Sequence, residues 1–153
     1  MSVLKSKQNP SRADFVNVAN DIFTETYQFL SRVSARYGRL LAPEICARAS
    51  DVIDHCEMAN KVMPTDKVKA EYRERYLLEA LGAVSALDVK MAHLYNIMMK
   101  NPQGCFTDTK GNTVDTARAT KRLDSMAQSL GEKIDREMEL IKGVLNSDKS
   151  RLS

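Results

Sequence analysis

Seven apolar residues between Leu77 and Met98 constrain this chain more than any other feature. Leu77, Ala80, Val84, Leu87, Met91, Leu94 and Met98 recur at steps of three and four. That spacing places them on one face of an α-helix and on alternating faces of nothing else. Tyr72 and Tyr76 precede the stripe, no Pro interrupts it, and Asn101-Pro102 ends it. A helix over 67–100, about 50 Å long at ~1.5 Å per residue, follows. It cannot bury so long a stripe alone, so the rest of the chain must supply partners.

Three further amphipathic segments are available. Phe15, Val18, Ile22, Phe29, Val33 and Leu40 predict a helix from Asp14 to about Leu40, with Gly38 near its C-terminus. Pro43 suits the first position of the next helix, and Ile45, Ala49, Val52, Cys56, Ala59 and Met63 form its seam. Pro64 closes that helix, and Thr65 or Asp66 can cap the one after it. Residues 101–115 read as a loop, with a small hairpin around Lys110-Gly111-Asn112. Asp115 or Thr116 caps a last helix whose stripe is Leu123, Ala127, Leu130, Ile134, Met138, Ile141 and Leu145.

Four amphipathic helices with two short connections and one longer loop hide their stripes best in an all-α, antiparallel, up-down four-helix bundle. The expected organisation is a basic arm over 1–13, a bundle domain over 14–145 and a polar tail over 146–153. Length supports a single domain: 153 residues can bury a substantial core. No stretch approaches the roughly 18 apolar residues of a membrane span, and the polar, basic start lacks the apolar region of a signal peptide. Three cysteines (Cys46, Cys56, Cys105) in no framework spacing read as reduced thiols. The expected location is cytoplasmic, with no membrane partner.

Catalytic constellations are sparse. A di-iron site in a bundle needs Glu-x-x-His on two helices, and the sequence has none. Asp51, Asp54 and His55, with His93 on another helix, read as a solvated face. Cys56 lies on a core stripe and Cys105 has no histidine nearby in sequence. There is no phosphate-cradling Gly-rich loop, no nucleophile elbow and no zinc-type Cys pair. The expectation is a protein that is not an enzyme and carries no cofactor or metal. Gly82, inside the longest helix, is expected to let another helix approach closely, and Met91 and Met98 to fill core gaps.

Charge is more informative. Up-down order gathers residues 32–48 and 98–124 near one end of the bundle. These stretches hold nine bases and four acids, leaving −2 for the rest of a chain whose net charge is +3. Arg32, Arg36 and Arg39 would close the first helix, where cations complement the macrodipole. Arg118, Lys121 and Arg122 open the last helix, where cations cost about 0.3–1 kcal/mol each. Charges that oppose local stability are candidates for function, here the binding of phosphate.

The segment Arg75-Tyr76-Leu77-Leu78-Glu79-Ala80-Leu81-Gly82-Ala83-Val84-Ser85-Ala86-Leu87-Asp88 resembles the small-residue helix of the ribosomal-RNA intervening-sequence four-helix-bundle family. That family includes Avd, the accessory variability determinant of diversity-generating retroelements. Element order, length and basic balance are similar over roughly 14–145. The resemblance implies a homo-oligomer, a ring-like pentamer, that binds RNA or DNA and associates with a reverse transcriptase in a non-catalytic role during mutagenic copying of template RNA. It adds Arg73 and Arg75, which lead into the segment, to the nucleic-acid-binding candidates. The competing expectation is an adaptor bundle acting only through protein contacts.

Overall fold

In the computed structural model, residues 2–6 and 13–152 are described. A short helix, α1 (Val3–Ser6), precedes four long ones: α2 (Asp14–Leu30), α3 (Ala35–Lys61), α4 (Lys67–Lys100) and α5 (Thr116–Leu152). The expected arm therefore contains one helical turn, while its bases Lys7 and Arg12 lie outside the described residues.

The long helices form a four-helix bundle in which α2 and α4 each pack between α3 and α5. Polar pairs across the seams give the direction of each neighbour. Glu44 meets Lys90 and His55 meets Glu79, so residue numbers rise along α3 as they fall along α4. Tyr95–Asp124 and Arg73–Asp148 do the same for α4 and α5. All seven residues of the α4 stripe are buried, five of the side chains being Leu or Met. At about 1.5–3 kcal/mol for each large apolar side chain taken from water, this one stripe is a principal source of stability.

Both proposed caps exist. The Asp66 carboxylate accepts from Lys69 N at 2.9 Å, and that of Asp115 accepts from Arg118 N at 2.9 Å. The loop between α4 and α5 is anchored by two completely buried residues, Cys105 and Phe106. Phe106 stands edge-on to Phe29 with centroids 5.5 Å apart. A tight turn follows, in which the Asp108 carboxylate accepts from Lys110 N and Asn112 N and Gly111 takes φ 82°. Thr107 bridges Thr113 across it, which is the hairpin expected around Lys110-Gly111-Asn112.

Five expectations are corrected. The first long helix stops at Leu30 rather than near Leu40, because residues 32–34 pair with the distant loop. Val33 bridges Phe106, Ser34 N donates to Cys105 O at 2.7 Å, and Thr107 N donates to Arg32 O at 3.1 Å. Leu40, expected in the core, is 74% exposed on α3. Pro43 then falls inside α3 rather than at its start. It sits on the exposed side, where water can satisfy the carbonyl that its ring leaves without an N–H donor. Met63 is exposed beyond the end of α3. Finally, residues 146–152 are not a separate tail but the last turns of α5.

The α5 seam also differs in one position that matters chemically. Ala127 is exposed and Met126 is buried instead, and Glu137, one residue before the expected Met138, is completely buried. Neither of its carboxylate oxygens has a hydrogen-bond partner. Burial pushes its carboxyl up to about 8, so the group is mostly neutral at pH 7.

Candidate nucleic-acid interface

Arg32 follows α2, in the segment pinned to Phe106. Arg36 and Arg39 lie in the first two turns of α3, and Arg118, Lys121 and Arg122 in the first two turns of α5. The shift of the α2–α3 break changes the electrostatic account of this end. Arg36 and Arg39 do not complement the C-terminal dipole of a first helix. They open a helix, as Arg118, Lys121 and Arg122 do, and so stand where positive charge is disfavoured.

The loop contacts bring these segments together. Arg32 accepts from Thr107 through its carbonyl, and the Arg122 guanidinium lies over the Phe106 ring, 5.1 Å from its centroid. Phe106 thus carries a cation on one side and Phe29 at its edge. Arg122 Nη1 is buried without a hydrogen-bond partner. Burial and the like charges of Arg32 and Arg118 hold its guanidinium below the usual arginine range, although such a group remains protonated near neutral pH. Among the described residues, none of the six end cations enters an ion pair. Five of the six side chains are exposed, with Arg122 half-buried.

Acids near this end are occupied elsewhere. The Asp115 carboxylate caps α5, that of Asp108 holds its turn, and that of Asp124 accepts from the Tyr95 hydroxyl at 2.6 Å. At the opposite end cations and acids alternate: Lys67, Glu71, Glu74, Asp148 and Lys149 line one groove.

Arg73 and Arg75 lie toward that opposite end and do not join the cluster. Arg73 Nε donates to Asp148 Oδ2 at 2.6 Å, and its Nη1 donates to the carbonyls of Ala59 at 3.0 Å and Val62 at 3.3 Å. It fastens the C-terminus of α3 to α5, leaving its side chain only 12% exposed. Such a group has little surface to offer a phosphate. Arg75 is exposed but paired with Glu79 one turn on.

Beside the cluster, α2 and α5 leave an open groove of about 540 Å³. Phe29 and Met126 line it, with Arg32 and Arg122 and the hydroxyl side chains of Ser31, Ser125 and Ser129. Glu25 also reaches it, where Lys133 binds its carboxylate. The sequence signal for this groove was available in part. Arg118, Arg122, Ser125, Ser129 and Lys133 repeat at helical spacing, a polar stripe beside the apolar one.

The other reactive groups are engaged structurally. His55 contacts the Asp51 carbonyl through Nδ1 and Glu79 through Nε2, and no group of three or more His, Cys, Asp or Glu among the described residues is arranged to hold a metal. Burial raises the Cys56 thiol, with the carboxyls of Glu137 and Glu57 adding to the effect. Burial also raises Cys105, whose Sγ donates to Asn101 O at 3.0 Å. No described helix is long and apolar enough to cross a membrane. Comparison of the chain with protein-family models, curated proteins and solved structures finds no match.

Proposed function

We propose that this protein is a non-catalytic nucleic-acid-binding accessory protein that contacts phosphates through the end of the bundle bearing Arg32, Arg36, Arg39, Arg118, Lys121 and Arg122. The observation that carries this reading is the crowding of Arg32, Arg118 and Arg122 with no carboxylate bonded to any of them. Mutual repulsion opposes such an arrangement, as does the α5 dipole for Arg118 and Arg122, and an anion relieves both. The narrower role, an Avd-like partner of a diversity-generating retroelement reverse transcriptase, rests on the resemblance of residues 75–88 alone.

Contacts of this kind bind with little regard to sequence and weaken steeply with salt. Each neutralised phosphate contributes ~0.7 to the log–log salt slope on single strands and ~0.9 on duplex DNA. Replacing Arg118, Lys121 and Arg122 with Gln is expected to flatten the slope by up to about 2–3 units with helicity unchanged. Lys61, Lys67 and Lys149, exposed at the opposite end, serve as the control. Equal weakening by both sets replaces the site with a diffuse field, and absence of binding by the native protein at low salt removes the reading.

A protein-contact role has its own support. Leu78, Gly82, Ser85 and Val89 form a line on α4 directly away from the core, and all four are exposed. No charged residue occurs between Ala80 and Leu87. Space around Gly82 is open, with nothing in the same chain within 4 Å of where a Cβ would stand. The close helix approach expected there is therefore not made within one chain. A homo-oligomer joined through this face fits the observation, and the family resemblance suggests five subunits.

A further inference from the structure

We infer that the groove between α2 and α5 is a receptor for a terminal phosphate of a nucleic-acid strand, held between Arg32 and Arg122, rather than a track for internal phosphates alone. The inference rests on the nucleic-acid reading above and names the part of the strand that this site takes.

Three features of the groove select a compact dianion. First, two guanidiniums line it and a third, that of Arg118, lies close enough to repel Arg122. An internal phosphodiester brings one negative charge, which offsets only part of this crowding. A terminal phosphomonoester carries about −1.5 to −2 near pH 7. Second, the Arg122 guanidinium lies over the Phe106 ring with its Nη1 buried, so this half-exposed side chain is already held in place. A guanidinium held in that way loses little side-chain freedom when an anion bonds to it.

Third, the neighbouring side chains are hydroxyl donors. Ser125 and Ser129 stand one turn apart on α5, beyond Arg122. The only carboxylate in the groove, that of Glu25, is bound by Lys133, which also donates to Ser129 Oγ at 3.3 Å. Groove chemistry thus runs from paired cations at the bundle end to hydroxyls and then to a neutral ion pair. Its cations sit at the bundle end only, and beyond the serines the Glu25–Lys133 pair adds no net charge, so the groove offers one anion position rather than a row of them.

The test compares one fluorescent single-stranded RNA in three forms, with 5′-phosphate, 3′-phosphate or hydroxyls at both ends, titrated with the full chain. At least one phosphorylated form is expected to bind about tenfold or more tightly than the hydroxyl form, the scale of one charge-assisted hydrogen bond. Protonation of the monoester, whose second pKa is about 6, should erase most of that preference by about pH 5. Arg122→Gln should abolish the preference, so that all three forms bind alike, each more weakly than the native protein binds the hydroxyl form. Arg32→Gln, on an exposed connecting segment, gives a second variant should the first perturb folding. Adenosine 5′-monophosphate should compete with the phosphorylated form.

Equal affinities for all three forms would overturn the inference while leaving nucleic-acid binding intact. So would a preference that survives both substitutions. If no form binds and adenosine 5′-monophosphate does not bind either, the inference and the broader reading fall together. If the mononucleotide binds in an Arg122-dependent way and the strands do not, the phosphate receptor stands without its strand, and the nucleic-acid reading fails by itself.

Discussion

Arg73 and Asp148, 75 residues apart in sequence, form an ion pair at 2.6 Å that is almost closed to solvent, with 12% and 13% of the two side chains exposed. The same guanidinium donates to the carbonyls of Ala59 and Val62 at the C-terminal end of α3. One side chain therefore joins three helices at the end of the bundle remote from the arginine cluster. It also makes the final turns of α5 part of the folded unit.

Removing either partner leaves a charge in a nearly dry setting. Arg73→Ala is expected to destabilise the bundle by up to about 3–5 kcal/mol, the range for breaking a buried pair, and Asp148→Ala by a comparable amount. Deleting residues 146–153 should cost about as much as Asp148→Ala. Urea denaturation followed by circular dichroism measures all three. A truncated chain as stable as the full one would mean that the pair is not formed in solution.

Glu137 gives the protein a pH dependence opposite to that of a salt-bridged carboxylate. Its carboxyl is raised to about 8 in the folded chain by burial, against about 4.3 for a free glutamate. Below about pH 4 both states are protonated and burial carries no ionisation penalty. Between about pH 4 and 8 the unfolded chain loses the proton and the folded chain keeps it, so stability falls as pH rises. The full effect is several kcal/mol in order of magnitude. Glu137→Gln, which has no proton to lose, should flatten this part of the stability curve, and Glu137→Met should stabilise the protein most above pH 8. Denaturation midpoints at pH 5, 7 and 9 decide it; identical pH profiles for the native chain and Glu137→Gln would place the carboxyl in contact with water.

The outer line of α4 makes a prediction about assembly. Among the described residues, five of the ten large exposed apolar side chains (Val68, Tyr72, Leu78, Val89 and Ile97) lie on this one helix, Leu78 and Val89 on the outer line itself, a concentration that marks an interface. Light scattering at tens of micromolar should report a multiple of the 17.2 kDa chain. Val89→Lys and Leu78→Glu, both at exposed positions, should return it to a monomer with its helicity intact. A monomeric native protein would leave this face without a second copy.

Sequence alone determined the bundle because its evidence is local and periodic. The α4 stripe, the Asp66 and Asp115 caps and the seams of the other helices each depend on residues within a few turns. Backbone geometry fixes what such spacing must do. The basic end was legible for the same reason, since it needed only charges counted along helices of known order.

Tertiary structure decided whatever depends on contacts between distant segments. The helix break at 31–34 comes from backbone bonds to Cys105 and Thr107, more than seventy residues away, and no Gly or Pro between Leu30 and Ala35 marks it in the sequence. That break turned Arg36 and Arg39 from charges that close a helix into charges that open one. Arg73 read as a free cation until Asp148 and two carbonyls of α3 surrounded it. Glu137, one residue before a position of the expected α5 stripe, loses all of its exposure only in the packed bundle. Periodicity specifies which face of a helix turns inward to within about one residue. Which side chain at the edge of that face loses its water depends on how the neighbouring helices rotate against it, and only packing sets that rotation.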